Sequence, residues 1–184
     1  MTKMEEKTVT SQKIYDGKVL HVFKDDILLP NGEPSTREYV KHVGAVCILP
    51  LTDDGEVILE RQYRYPFHEA LIEIPAGKLD SPDEDPRAAA LRELREETGA
   101  VPRELHYLGD FLGSPAIMGE CIRMFFARGL TFREQKLDED EFLEVFRMPL
   151  ADLVEEILKG NIPDGKTQAA ALRVAALLEK EKKQ

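Results

Sequence analysis

Arg92-Glu93-Leu94-Arg95-Glu96-Glu97-Thr98-Gly99 is the stretch on which the reading of this 184-residue chain turns. At about 100° per residue, a helix here gathers Glu93, Glu96 and Glu97 within an arc of roughly 100°. The same geometry sends Leu91, Leu94 and Thr98, joined by Ala88, to the opposite side, the expected buried face. Like charges at i,i+4 destabilise a helix by a few tenths of a kcal/mol. A cation among them reverses that sign, and Mg²⁺ takes oxygen ligands while bridging carboxylates to substrate phosphates. Taken alone, a glutamate-rich helix is more often a solvated surface, here with Arg92 and Arg95 as local partners.

The surroundings change that balance. Asp85 suits an N-cap, Pro86 the first helical position and Gly99 the C-terminal stop. Upstream, Leu71-Ile72-Glu73-Ile74 reads as a short strand, and Pro75-Ala76-Gly77 as a turn from it into the loop before the helix. Gly77 permits close backbone approach to a ligand, and the Ala76 carbonyl is a potential metal ligand. Further out, strands are expected over Lys18 to Leu29 and Thr36 to Val43 as a hairpin about Pro30-Asn31-Gly32. Others are expected over Val43 to Leu51, Glu56 to Tyr63, Leu105 to Phe111, Cys121 to Arg128 and Phe142 to Met148. Helices over Leu150 to Lys159 and Lys166 to Lys182 close the chain. Strands with interspersed helices predict an α/β or α+β sandwich rather than repeated βαβ winding.

Composition sets outer bounds. Hydrophobic residues make up 42% and charged ones 33%, with a net charge of -10. That charge argues against a general nucleic-acid binder, yet bound metal ions can reverse the local sign for a phosphate substrate. Cys47 and Cys121 form no metal-like cluster and read as small buried hydrophobes in a reducing compartment. No apolar run approaches a membrane span and the first residues lack a signal core, so the expected location is the cytoplasm. No repeat or flexible linker interrupts the chain, and a single domain is the simplest parse.

Together, Gly77, Glu84 and Arg92 to Gly99 resemble the box of the Nudix hydrolase family: Gly, five residues, Glu, seven residues, then Arg-Glu-hydrophobic-x-Glu-Glu-x-Gly-hydrophobic. The fixed Arg, three Glu and Gly alone match by chance on the order of once in a million start positions. Here six residues separate Gly77 from Glu84, so Asp83 and Glu84 compete for the first carboxylate's place, and Ala100 is smaller than the box expects. The resemblance implies the Nudix α/β/α sandwich with a mixed sheet, preceded by an N-terminal β-hairpin. Residues 1–43 would be the hairpin region, forming a homodimer and reaching toward the partner's site, and 44–184 the hydrolase domain. It also implies Glu93, Glu96, Glu97 and the Ala76 carbonyl as ligands of Mg²⁺, with Mn²⁺ a possible substitute, and Arg92 as the residue orienting the glutamates.

Outside the box, Gln62-Tyr63-Arg64, Leu71 to Gly77, Pro115 and the acidic run Asp138 to Glu141 before Phe142-Leu143-Glu144-Val145 resemble the ADP-ribose pyrophosphatase branch. The implied reaction is Mg²⁺-dependent hydrolysis of ADP-ribose to AMP and ribose 5-phosphate. The rivals are another nucleoside diphosphate-sugar such as GDP-mannose, and a non-catalytic ADP-ribose-binding module. Neither nucleic acid nor membrane is an expected partner. The resemblance makes Arg37, Arg64, Glu73 and Pro115 substrate-binding and Glu141 the base, with Glu96 and Arg92 assisting. Arg64 is otherwise a strand-end charge, and Pro115 ordinary turn chemistry. Glu141 is otherwise part of a solvated acidic loop, and Glu139 or Asp140 replaces it if the register slips. The chain has no Trp to stack adenine, which leaves Tyr39 or another aromatic.

Overall fold

A computed structural model describes residues 4–137 and 142–183. The chain divides into two compact units, Met1–Val43 with Leu112–Cys121, and Gly44–Phe111 with Ile122–Gln184.

The first unit is a three-stranded antiparallel sheet of β1 (Lys7–Asp16), β2 (His21–Leu28) and β3 (Pro34–Lys41). β2 and β3 are the expected hairpin. Its turn holds Gly32 at φ 87°, and the Asn31 carboxamide accepts the Glu33 amide at 3.1 Å. β1 was not expected. Every residue of it is exposed, so no face carries an apolar alternation to read. It is held instead by its ladder to β2, by Ser11 donating to Asp25 at 2.6 Å and by Thr10 donating to Asp26 at 2.7 Å. The Leu112–Cys121 segment joins β3 through Val40, whose amide donates to Ile117 and whose carbonyl accepts from Gly119, both at 2.8 Å.

The second unit is layered. One sheet, β7-β4-β9-β8, is mixed: β4 (Ala45–Pro50) runs parallel to β9 (Ile122–Phe132) and antiparallel to β7 (Ala76–Lys78). β8 (Ala100–Phe111) borders β9 antiparallel. The other sheet orders β10 (Leu143–Pro149), β5 (Glu56–Arg64) and β6 (Glu69–Glu73). β4 is buried along its whole length, which its unbroken apolar run anticipates for a strand covered on both faces. Val46 and Ile48 pack with Ala89, Ala90 and Leu94 of α1 (Pro86–Thr98). Cys47 and Leu49 face the other way, onto Leu153 and Ile157 of α2 (Leu150–Leu158) and Ala170 and Val174 of α3 (Gly165–Glu181). This is the expected α/β/α sandwich. No helix among the described residues is long and apolar enough to cross a membrane.

Four local expectations need correction. Of the expected turn Pro75-Ala76-Gly77, Ala76 and Gly77 belong instead to strand β7, with Ala76 opposite Cys47 and Gly77 opposite Val46. β8 begins at Ala100 rather than Leu105, because strand pairing to β9 carries through Pro102. Cys121 is only half-buried, whereas Cys47 is fully buried and its thiol is pushed up to about 12 by loss of solvent. Finally, α1 is rotated from its expected orientation: its buried residues are Ala89, Ala90, Leu94 and Glu97, while Leu91 is 38% exposed.

Candidate active site

That rotation brings carboxylates to the sheet. α1 starts where Asp85 accepts the Arg87 amide at 3.2 Å, has Pro86 at its first turn, and stops at Gly99 with φ 72°. Within those limits Glu97 lies against β7, where its Oε2 accepts the Ala76 amide at 3.0 Å. Glu93 lies one residue along, its carboxylate filling the space a Cβ at Gly77 would need. Gly77 is thus required by a close approach, though the group approaching is a side chain of α1. Ala76 is in a non-hydrogen-bonded pair with Cys47, so its amide and carbonyl both point away from β4.

Arg92 braces the same group. Its guanidinium donates to Glu93 at 2.7 Å and to Glu84 at 3.2 Å, with Glu96 at 3.4 Å and Asp80 at 3.6 Å. Burial opposes the charge on Arg92, but Glu93 and Glu84 outweigh it and raise its pKa. The Asp80 amide and Arg92 hold the Glu84 carboxyl below its ordinary value. Of the two candidates for the first box carboxylate, it is Glu84 that contacts Arg92. Glu96 is 40% exposed and turned toward Arg92.

All donors here are oxygens, the chemistry a hard divalent cation selects. Glu93 and Glu97 meet one short strand beside the Ala76 carbonyl, and the missing Cβ of Gly77 is what lets the Glu93 carboxylate reach the backbone there. The residues present therefore fit such an ion. Among the described residues no three acidic, histidine or cysteine side chains close into a complete cage. A cation here would therefore draw on backbone oxygen as well as on side-chain carboxylates.

Glu73 and Arg64, at the ends of β6 and β5, pair with each other. Arg64 donates to both carboxylate oxygens, at 2.6 Å and 2.7 Å. This bidentate fork buries Glu73 to 3% exposure while Arg64 stays 38% exposed at its side chain. Lys166 of α3 completes the arrangement, reaching Glu73 and, at 3.0 Å, Asp164. Burial works against the Glu73 charge, yet Arg64 and Lys166 hold its carboxyl below the usual carboxylate range. Burial likewise opposes the Lys166 charge, and Asp164 and Glu73 outweigh it, so its pKa is raised. Asp164 also caps α3, accepting from the Thr167 amide at 2.9 Å and its hydroxyl at 2.5 Å. The Thr167 hydroxyl in turn accepts the Ile74 amide at 2.9 Å.

Lys166, Asp164 and Thr167 were absent from the sequence candidates. One signal was available: a lysine in the first turn of a helix opposes the macrodipole, so a buried one demands an acidic partner.

Arg37, Tyr39 and Pro115 lie in the first unit. Arg37 pairs with Glu6, and it shares with Tyr39 and Pro115 the lining of a cavity of about 550 Å³. Tyr39 stacks on Phe23 at 5.7 Å and donates to the buried Asp25 at 3.3 Å. Pro115 follows Ser114, whose carbonyl accepts the Ile117 and Met118 amides, so it occupies the second position of a turn. Glu141, Glu139 and Asp140 lie outside the described residues.

Comparison with known proteins adds three findings. The NUDIX domain model matches residues 40–171, and that of the nucleoside diphosphate sugar hydrolase N-terminal domain matches residues 6–40. The chain is 42% identical over 172 residues to an ADP-ribose pyrophosphatase of Bacillus subtilis, covering 92% of each, and 41% identical over 168 residues to a methanol dehydrogenase activator of Bacillus methanolicus, covering 90% of each. A crystal structure of an ADP compounds hydrolase superposes with a TM-score of 0.80 over 96% of each chain at 24% identity, which bears on the fold.

Proposed function

The chain belongs to the Nudix hydrolase family, and on that footing we propose that it splits the diphosphate bond of ADP-ribose, giving AMP and ribose 5-phosphate, with Mg²⁺ as the metal and Mn²⁺ as a substitute. The observation that carries a metal-assisted hydrolysis is the docking of Glu97 and Glu93 on the consecutive residues Ala76 and Gly77. ADP-ribose as the substrate is supported by the similarity that extends along nearly the whole chain to a protein of that activity.

In this reading Glu93, Glu97, Glu96 and the Ala76 carbonyl hold the ion. Bound there, Mg²⁺ supplies charge neutralisation at the diphosphate and a water of lowered pKa. Arg92 keeps Glu93 turned toward β7. Arg64 offers the diphosphate the part of its guanidinium that Glu73 does not engage, and the Glu73–Lys166 pair fixes the plane of that group. Glu141 takes the proton from the attacking water. Arg37 and Pro115 are further substrate-binding residues in this reading, Tyr39 is the candidate to stack adenine, and residues 1–43 form the contact of a homodimer. A cytoplasmic setting belongs to the same reading.

Product analysis tests this. The protein is incubated with ADP-ribose, GDP-mannose and a dinucleotide, each with and without Mg²⁺. AMP and ribose 5-phosphate should appear from ADP-ribose only with the metal. A large preference for GDP-mannose removes the substrate assignment, and metal-independent turnover removes the site. Light scattering on the purified protein checks the dimer.

A further inference from the structure

A cavity of about 530 Å³ lies between the last turns of α1, the start of β8 and the residues after β9. That volume is within the range of roughly 300–1,000 Å³ typical of small-molecule sites. Four cations line it: Arg92, Arg95, Arg133 and Lys136, against one carboxylate, Glu96. In a chain of net charge -10 such a gathering is against the trend.

Arg92 is engaged by Glu84 and Glu93. The side chains of Arg95, Arg133 and Lys136 have no carboxylate partner among the described residues. Complementing the α1 dipole accounts for Arg95, which is in the last turn, but not for the other two, which lie outside the helix.

Nor do Arg133 and Lys136 sit on a loose strand of chain. The Arg133 amide donates to the Gly99 carbonyl at 2.8 Å and the Lys136 amide to the Glu96 carbonyl at 2.9 Å, while the Gln135 side chain reaches the Glu97 carbonyl. These bonds satisfy carbonyls that a helix end leaves open. A Cβ at Gly99 would collide with the Arg133 carbonyl, so the segment is seated tightly on the helix terminus. The backbone is fixed by capping α1, and the cationic side chains are left facing the cavity. Leu91, Val101 and Pro102 supply an apolar wall, which also explains why Leu91 is exposed on a helix where it was expected to be buried.

We propose that this cavity binds a small phosphate-bearing anion, held by Arg95, Arg133 and Lys136 and backed by the apolar wall. Crowded like charges repel, an anion among them removes the repulsion, and guanidinium groups match phosphate oxygens two at a time. The cavity borders the proposed metal site through Arg92 and Glu96, but Arg95, Arg133 and Lys136 hold no part in that site or in the diphosphate contact assigned to Arg64, so the proposal stands whichever nucleotide-sugar the protein cleaves.

The test is a titration of inorganic pyrophosphate into nitrogen-15-labelled full-length protein in buffer free of divalent metal, followed by amide chemical shifts. Saturable shifts at Gly99, Arg133 and Lys136, with a dissociation constant of about 1 mM or tighter, are expected. The variant Arg133→Gln/Lys136→Gln, altered only at exposed positions, should keep its melting temperature and lose about tenfold or more in affinity. Saturable shifts confined to Arg64, Ala76 and Gly77, an affinity the double variant leaves unchanged, or no saturable binding at all would each overturn the proposal. None of these readings depends on turnover, so the outcome is separable from that of the ADP-ribose assay.

Discussion

α1 and α3 cover opposite faces of the same sheet, and each buries polar side chains where an amphipathic helix should be apolar: Glu97 on one, Lys166 and Thr167 on the other. α2, beside α3, keeps the rule and buries only Leu153 and Ile157. The exceptions share a target. Glu97 takes the Ala76 amide, Thr167 takes the Ile74 amide and Lys166 takes the Glu73 carboxylate. Residues Glu73 to Gly77 are therefore gripped from both layers, by an acid on one side and a base and hydroxyl on the other. Buried polar groups are costly unless partnered, so helices that carry them to one short segment mark where the fold is committed to chemistry.

The comparison can be broken at either helix. The largest effect is expected on the α1 side: Glu97→Gln keeps an acceptor for Ala76 but removes a metal-directed charge. It should lower kcat by roughly 10²–10⁴-fold with little change in melting temperature. An unchanged rate would contradict the metal assignment.

On the α3 side, Lys166→Met leaves the buried Glu73 to Arg64 alone and the half-buried Asp164 without its cation. It should cost about 3–5 kcal/mol in denaturant unfolding. A residual effect on KM for substrate, with kcat less affected, would locate its influence at Arg64.

Next in size is Leu94→Ala, expected to cost about 2–5 kcal/mol, set against Leu91→Ala at under about 0.5 kcal/mol. Equal losses would return α1 to the orientation its sequence suggests. Gly77→Ala separates stability from function. The added methyl meets the mobile end of Glu93, so the melting temperature should shift little while kcat falls about tenfold or more.

The smallest effect is with pH. The lowered pKa of Glu73 contributes stability above its unfolded value of about 4.3, lost as pH falls through the folded value. The raised pKa of Lys166 contributes below about 10.4, lost as pH rises through its folded value. Unfolding free energy should thus be flat from about pH 4.3 to about pH 8.5, above which the buried Cys47 thiol, protonated up to about 12 in the fold, begins to lower it. Lys166→Met should remove the alkaline contribution and shrink the acid one.

The limits of α1 were legible because capping is local: Asp85, Pro86 and Gly99 act within one turn. The doubly buried β4 was legible from its unbroken apolar run. β1 was not, since a strand exposed on both faces has no alternation to detect. β7 was hidden because Pro75-Ala76-Gly77 has turn composition, and only pairing with β4 makes it a strand.

Acting alone, the sequence determined which carboxylates share one arc of α1, since three glutamates at this spacing follow from the pitch of a helix. It also determined where that helix begins and ends. Which face turns inward was decided only by the tertiary structure. The Ala76 amide and the space at Gly77 make burial of Glu97 and Glu93 favourable, and those groups come from a strand some 20 residues earlier in the chain. The Glu73–Lys166 pair, 93 residues apart, belongs to the same class. No local periodicity encodes a partner at that distance; the pairing exists once the sheet has set β6 and α3 side by side.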